Sequence, residues 1–257
     1  MEYDEYCARA GAEIARMAAI TDGVTPRTPV HTCPGWDLAK LVKHTGIVHR
    51  WAAAIVATRA TKRLAGTEVD AGLPADPAGY PRWLAAGAAP LVEALRAAGP
   101  AAPVWTWAGG DGTTWWARRM LHETAMHRVD AELALGLEPE LDPLAAADGI
   151  SEFLANAPLG SRPGPRLSEL PAGQVIHLHA TDEGLGEGGE WLIRLGEGPG
   201  GTGYSWSHGH AKGSVAVRGP AAVLLQLTYG RARPGDDRLA VFGDATVLAA
   251  WQDVMTL

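Results

Sequence analysis

The hydrophobic period of the chain changes once, at a segment rich in proline and glycine. Before SRPGPRL, residues 161–167, apolar side chains recur every three or four positions, which is typical of amphipathic helices. From Gln174 onward, apolar and polar residues alternate in short β-branched runs separated by glycine-rich turns, which is typical of strands. The pattern predicts a helical bundle followed by a small α+β domain. A chain of 257 residues accommodates two such domains, which we expect over residues 1–160 and 167–257.

Individual elements follow from the same spacing. Asp37 has the side chain of an N-cap residue and should begin the second helix. The predicted helices of the first half are residues 2–20, the stretch that follows Asp37, and residues 81–99, 114–135 and 142–157. The predicted strands of the second half are VIHLHATD, EWLIRL, SVAVRG and RLAVFGD, with helices over residues 220–229 and 246–251.

Charge and cysteine content argue against several classes of protein. Twenty-nine acidic and 22 basic residues give a formal charge of -7, which disfavours a nucleic-acid partner. Cys7 and Cys33 match neither a disulfide framework nor a CxxC pair, which fits a reducing compartment. The N-terminal segment is acidic, and no apolar run reaches the roughly 18 residues of a membrane span. We therefore expect a cytoplasmic protein without a membrane partner.

Two glycine-rich segments resemble phosphate-binding loops at first sight. EGLGEGGE and GEGPGGTG lack both the GxxxxGK[ST] pattern and the strand and helix that flank a dinucleotide site. We expect both to be hairpin turns.

A candidate site lies on the predicted fourth helix. Glu123 and His127 are four residues apart, so they share one face with the apolar residues Trp116 and Met120. Burying this pair would be costly without a compensating partner. On the second helix, His44 lies on or beside the inward face and offers such a partner. Two imidazoles and a carboxylate form a three-ligand set with an open position, suited to zinc or a similar divalent ion. The alternative is that His44 packs alone while Glu123 and His127 form a solvated pair.

Other candidates have weaker support from spacing. His49 is five residues past His44, roughly 140° around the helix, and is expected beside the site rather than as a ligand. His122 is expected on the surface or between helices. His208 and His210 could bind metal, but their glycine-rich context favours mobile surface side chains. Cys33 would be a nucleophile only if a base lay beside it.

These segments resemble a known family. CPGWDLAKLVKHTGIVHRW and WARRMLHETAMHRVDAELALG are similar to the mycothiol-dependent maleylpyruvate isomerase family within the DinB-like four-helix metal proteins. The strand segments of the second half, with GPAAVLLQLTYGR, resemble that family's sterol-carrier-like α+β domain. The resemblance implies metal ligands at His44, Glu123 and His127. His31 stands where relatives commonly have proline, and the stretch before SHGHAKG is longer and richer in glycine.

The resemblance also implies a chemistry. It indicates a zinc-dependent or similar enzyme with mycothiol as thiol cosubstrate, acting on a small electrophile as an isomerase or an S-transferase. Metal coordination generates the reactive thiolate near neutral pH. Expulsion of the thiol after bond rotation gives isomerisation, and retention gives S-transfer. The alternatives are a thiol or ligand sensor without turnover and a metal-dependent hydrolase. A monomer or weak homodimer is expected.

Arg231 is the predicted catalytic residue of the second domain. It follows the helical run over residues 220–229, and its guanidinium suits a substrate carboxylate, which it can hold through two parallel hydrogen bonds. The GR pair also matches the family's second domain. Arg233 and Arg218 are competitors for this role, and a surface or interface arginine is the alternative.

Overall fold

A computed structural model of the chain describes residues 1–110, 112–159, 167–198 and 203–255. It contains two compact units, Met1–Pro139 and Glu140–Leu257. The first is helical and the second contains a mixed sheet, which confirms the predicted fold class. Residues 161–166 of the predicted linker and residues 199–202 of the second predicted turn lie outside the described residues.

The first unit is a four-helix bundle with one interrupted member. Its helices are α1 (Tyr3–Thr21), α2 (Leu38–Ala57), α3 (Tyr80–Ala86), α4 (Ala88–Ala98) and α5 (Gly112–Ala134). A two-stranded ribbon, β1 (Pro29–Val30) and β2 (Trp36–Asp37), precedes α2. Both α1 and α2 pack against α4 and α5. As predicted, Asp37 caps α2 and accepts a hydrogen bond from the backbone nitrogen of Lys40 at 2.8 Å.

The predicted third helix is broken at Gly87, which separates α3 from α4. Pro90 explains the break, because proline lacks an N–H and its ring would clash with the carbonyl four residues earlier in a continuous helix. The predicted stop at Gly99 is confirmed, since its φ of 76° is in the left-handed region.

Buried ion pairs fix α5 against α1. The fully buried Arg128 donates hydrogen bonds to Glu13 of α1 and to Glu132 of its own helix. Arg16 Nη2 lies 2.8 Å from Glu132 Oε1. A buried ion costs several kcal/mol to remove from water, so each of these charges needs its partners. The network orients the helix that carries Glu123 and His127.

The described residues of the second unit form three helices and a sheet. The helices are α6 (Pro143–Asn156), α7 (Ala221–Thr228) and α8 (Ala245–Met255). The strands are β3 (Val175–Ala180), β4 (Glu190–Leu195), β5 (Tyr204–His208), β6 (Val215–Gly219) and β7 (Ala240–Gly243). Their order is β5-β4-β3-β6-β7, with β3 parallel to β6 and the other pairs antiparallel. EGLGEGGE connects the antiparallel pair β3 and β4, as a hairpin connection should.

Strand β5 corrects one expectation. His208 was expected in a glycine-rich loop, but it is the last residue of β5 and pairs with Trp191 of β4. Aromatic residues alternate along this strand at Tyr204 and Trp206, and such residues favour a pleated sheet. Only His210 remains beyond the strand.

The division between the units falls earlier than residue 160, the predicted end of the first domain. The reason is α6, which packs on α7 in the second unit. The ring centroids of Phe153 and Tyr229 are 4.4 Å apart, and Tyr204 donates a hydrogen bond to the carbonyl of Leu154 at 2.8 Å. Among the described helices, none combines the length and apolar character needed to cross a membrane.

Candidate active site in the helical unit

Helices α2 and α5 bring three donor side chains together. His44 Nε2 is 3.1 Å from Glu123 Oε1, and His127 Nε2 is 3.3 Å from the same oxygen. Their donor atoms all lie within 4.8 Å of one another. Each side chain is partly exposed, by 28% for His44, 21% for Glu123 and 14% for His127. The predicted trio therefore converges, and His44 does not pack apart from the other two.

The second oxygen of Glu123 is held by an arginine of its own helix. Arg119 Nη2 donates to Glu123 Oε2 at 2.8 Å, one turn earlier on α5. Burial opposes ionisation of Glu123, but hydrogen bonds from His127 and His44, with the charge of Arg119, hold its pKa well below the usual range. The carboxylate is thus ionised, with Oε1 turned to both imidazoles.

His127 is oriented by a buried aspartate. Its Nδ1 lies 3.0 Å from Oδ2 of Asp130, which is fully buried. Burial alone would lower the pKa of His127, but hydrogen bonds with Asp130, Cys33 and Glu123 raise it well above the ordinary value. Asp130 was not among the residues predicted for the site, although its position three residues after His127 on a helix is a usable signal.

Cys33 lies at the edge of this site. Its sulfur is 3.3 Å from Asp130 Oδ2, and its Sγ, one nitrogen of His127 and one oxygen of Asp130 lie within 4.8 Å of one another. The thiol donates to a carboxylate that already orients a histidine. This arrangement places a base near Cys33, which sequence spacing alone did not predict.

A tryptophan covers the two imidazoles. The Trp36 ring centroid is 5.0 Å from that of His44 and 6.1 Å from that of His127. Trp36 is in the β1–β2 ribbon, where it pairs with Val30 directly before α2. The ribbon therefore supplies an apolar wall beside a polar cluster.

His49 lies nearby but is not a member of the trio. It is fully buried, and its Nε2 is 2.8 Å from Thr124 Oγ1. The Thr124 hydroxyl itself donates to the carbonyl of Met120, so His49 Nε2 carries the proton of that bond. Nδ1 has no hydrogen-bond partner among the described residues. Burial lowers the pKa of His49 to about 3, so the ring is neutral at pH 7.

The remaining histidine expectations have mixed outcomes. His122 is only 2% exposed, so it is not a surface residue, because α5 is enclosed by neighbouring helices. His208 Nδ1 is 2.9 Å from the backbone oxygen of Glu190. His210 instead meets the side chain of Glu190, at 2.6 Å from Oε2. The two histidines of SHGH thus contact different atoms of the same residue, Glu190.

Arg231 belongs to the second unit and follows α7. Its Nη1 donates to the carbonyl of Tyr229 at 2.6 Å, and its guanidinium carbon is 5.8 Å from the centre of the Tyr229 ring. The side chain is half-buried, whereas Arg233 and Arg218 are exposed. Of the three arginines, Arg231 therefore has the most restricted position.

Fold and site together define a two-domain protein with a helical bundle that carries two histidines and a carboxylate. Residues 7–132 match the mycothiol maleylpyruvate isomerase N-terminal domain, and residues 145–250 match the C-terminal domain of the same enzymes. The chain belongs to the mycothiol maleylpyruvate isomerase family, a family of isomerase enzymes, as the sequence resemblance predicted.

Two solved structures share the fold. One is a mycothiol-dependent maleylpyruvate isomerase, with 16% identity and a TM-score of 0.56. The other is a histidine-to-alanine variant of a mycothiol-dependent maleylpyruvate isomerase, with 15% identity and a TM-score of 0.57. Each comparison covers 94% of this chain and 93% of the other. No curated protein sequence matches significantly.

Proposed function

We propose that this protein is a metal-dependent enzyme of the maleylpyruvate isomerase or thiol S-transferase type, with mycothiol as its thiol cosubstrate. The observation that carries the proposal is the convergence of His44, Glu123 and His127 within 4.8 Å, in a chain of this family. Maleylpyruvate, or a small electrophile of similar chemistry, is the proposed substrate.

The chemistry of the donor set fits a divalent transition metal ion. Two imidazole nitrogens and one carboxylate oxygen from rigid helices leave a coordination position open, as catalytic zinc sites do. Asp130 orients His127 through its other ring nitrogen, which is the usual support of a metal-binding histidine. When bound, a divalent ion supplies a Lewis acid that stabilises the thiolate form of a thiol near neutral pH.

The chain's own residues position the reactants. Arg119 holds one oxygen of Glu123 and so leaves the other facing the histidines. The Trp36 ring excludes water from one side of both imidazoles, which strengthens electrostatic interactions at the site. Asp130 places a base beside Cys33, so the geometry alone leaves two candidate sulfurs. We assign the nucleophilic sulfur to the cosubstrate because the chain matches the mycothiol maleylpyruvate isomerase N-terminal domain.

The proposed reaction balances without an oxidant or a reductant. The thiol sulfur adds to one carbon of an activated double bond, and the resulting single bond rotates. Breaking the carbon–sulfur bond restores the double bond in the other geometry and releases the thiol. If the carbon–sulfur bond persists and the neighbouring carbon takes up the proton that the thiol lost, the product is an S-conjugate.

Arg231 is the proposed anchor for a substrate carboxylate. Its bond to the Tyr229 carbonyl restricts the plane of the guanidinium, and a fixed fork suits bidentate recognition. We expect Arg231→Lys to lower kcat/KM at least about tenfold, or about 1.4 kcal/mol, because lysine keeps the charge and loses the fork. Steady-state kinetics on a carboxylate-bearing substrate check this, with Arg233→Lys as the matched control. Equal kinetics for both variants would assign the anchoring role elsewhere.

A zinc hydrolase is the second candidate, since two histidines, a carboxylate and an open position also occur in zinc hydrolases. A sensor without turnover would use the same ligands.

The test measures cis–trans isomerisation of maleylpyruvate with the zinc-loaded protein, with and without mycothiol. We expect turnover only when thiol is added. Thiol-independent release of a hydrolysis product would support the hydrolase, and zinc binding without any turnover would support the sensor.

A further inference from the structure

A second cluster of potential metal ligands lies in the sheet of the second unit. His177 and His179 are two residues apart on β3, so both project from the same face. Glu190 of β4 is directly opposite His179 in the antiparallel register and shares that face. His210 follows β5 by two residues and completes the group. Strand register, rather than proximity along the chain, brings these four side chains together.

The three imidazoles converge on one carboxylate oxygen. Glu190 Oε2 is 2.7 Å from His177 Nε2, 2.6 Å from His210 Nδ1 and 3.5 Å from His179 Nδ1. One ligand atom from each of the four residues lies within 4.8 Å of all the others. This group is independent of the trio on α2 and α5, because it shares no residue with it.

We propose that His177, His179, Glu190 and His210 bind a second divalent transition metal ion. Three imidazole nitrogens and one carboxylate oxygen make a donor set that suits zinc, nickel or copper better than magnesium or calcium, which prefer oxygen ligands. Four protein ligands can complete a tetrahedral shell, which is typical of a structural zinc site. The proposed ion stabilises the sheet and takes no part in the isomerisation chemistry.

The burial of the cluster fits this role. The side chain of His177 is only 6% exposed and that of Glu190 is 21% exposed, whereas those of His179 and His210 are 32% and 72% exposed. The less exposed members, His177 and Glu190, hold the ligand atoms in place, and the more exposed members leave a path for an ion from solvent. Arg218 is opposite His179 on β6, but it is exposed, so water screens its charge.

The test separates the two proposed sites by using His127→Ala, which removes a ligand of the first site only. In that background we expect about one zinc ion per chain after dialysis, and none after the further changes His179→Ala and His210→Ala. In the matched control, His31→Ala is added to the His127→Ala protein in place of the two sheet substitutions. This change removes an exposed histidine of the helical unit and should leave the zinc content at about that of the His127→Ala protein. Elemental analysis of the dialysed proteins gives the stoichiometry, and circular dichroism verifies folding.

A second measurement does not depend on the first site. Excess zinc should raise the Tm of the His127→Ala protein, because a ligand that binds only the folded state stabilises it. The same zinc should leave the Tm of the His127→Ala, His179→Ala, His210→Ala protein unchanged. Equal zinc content and equal Tm shifts with and without His179 and His210 would overturn the proposal. Absence of zinc from the His127→Ala protein would also overturn it, and would mean that the four side chains form only a hydrogen-bonded network.

Discussion

At the scale of single residues, the orientation of His127 depends on Asp130. This carboxylate is fully buried and contacts both the Nδ1 atom of His127 and the thiol of Cys33. A neighbour that fixes the ring of a metal-binding histidine is worth about 10–100-fold in metal affinity.

The first prediction follows from this contact. Asp130→Asn should weaken zinc binding at the first site by about 10–100-fold, because the amide accepts a hydrogen bond without a negative charge. Competition with a chromogenic chelator measures the affinity, in a His179→Ala, His210→Ala background that lacks the second proposed site. Asp22→Asn, an exposed change at the end of α1, is the control. An unchanged affinity in Asp130→Asn would show that the carboxylate does not support a metal ligand.

The role assigned to Cys33 is testable by substitution. Cys33→Ser should keep both zinc content and thiol-dependent turnover, because serine preserves the hydrogen bond to Asp130 and the proposed nucleophile is the cosubstrate sulfur. Turnover with and without added mycothiol is the measurement. A folded, zinc-loaded Cys33→Ser protein without activity would make Cys33 the nucleophile.

His49 predicts a pH dependence of stability. Below about pH 6.5 the unfolded chain binds a proton at this imidazole, whereas the folded protein does so only as the pH approaches about 3. The free energy of unfolding should therefore fall as the pH drops below 6.5, with a limiting slope of about 1.4 kcal/mol per pH unit from this group. His49→Gln should show a shallower dependence, because the amide can still donate to Thr124 and does not titrate. Urea unfolding of the metal-free protein at several pH values, with His31→Gln as the control, measures the two slopes. Equal slopes for the His49→Gln protein and the unsubstituted protein would show that burial does not lower the pKa of His49.

The site residues were predictable from sequence where helical spacing determines which side chains meet. His44, Glu123 and His127 were brought together by facing positions on two helices. The contact of Asp130 with His127 follows from helical spacing as well, because the two residues are three apart on α5. The contact of Cys33 depends on where the chain before α2 lies, which periodicity does not encode. The cluster of His177, His179, Glu190 and His210 depends on strand register. A shift of one residue would turn the side chains of a strand to the other face of the sheet and separate the cluster.

At the scale of elements, α2 and α3 approach each other closely at Gly46. An added Cβ at Gly46 would lie 2.2 Å from a ring carbon of Trp83. That ring is not free to withdraw, because its Nε1 donates to the carbonyl of Ala71 at 2.7 Å and the Arg50 guanidinium lies 4.0 Å above it. The glycine in α2 is thus required by packing, despite its poor helix propensity.

Gly46→Ala should destabilise the protein by about 1–3 kcal/mol, because the steric cost of overpacking outweighs the gain in helix propensity. Gly11→Ala is a matched control in α1, where the added Cβ would meet a flexible Val92 methyl group at 3.3 Å. Chemical denaturation of both variants gives the comparison. If the Gly46→Ala protein were as stable as the unsubstituted protein or more stable, α3 would have to adjust freely against α2.

The helices and strands were predicted well where periodic runs were long. The break at Gly87 was missed because the apolar pattern continues through it, although Pro90 imposes the interruption. Strand β5 was missed because its aromatic alternation is short and lies next to glycines. At Gly87 a local backbone constraint overrode the side-chain pattern, whereas at β5 the side-chain pattern agrees with the structure but is short.

At the scale of the whole molecule, the two units carry different proposed functional groups. The first holds the proposed catalytic trio on rigid helices, and the second holds Arg231 and the proposed second metal site. The change in periodicity predicted both units, but not that α6 belongs to the second. That assignment depends on tertiary contacts such as the one between Phe153 and Tyr229.

The most direct test of the proposed function is an anomalous difference map from a crystal of the zinc-loaded protein soaked with mycothiol. We expect a zinc peak at about 2.0–2.2 Å from His44, Glu123 and His127, with the thiol sulfur at the remaining position about 2.3 Å from the ion. A zinc peak at the proposed second site, between His177, His179, Glu190 and His210, would be a separate observation that does not bear on this test. A crystal with no zinc between these three residues, or with zinc whose open position does not accept the thiol, would contradict the proposed mechanism.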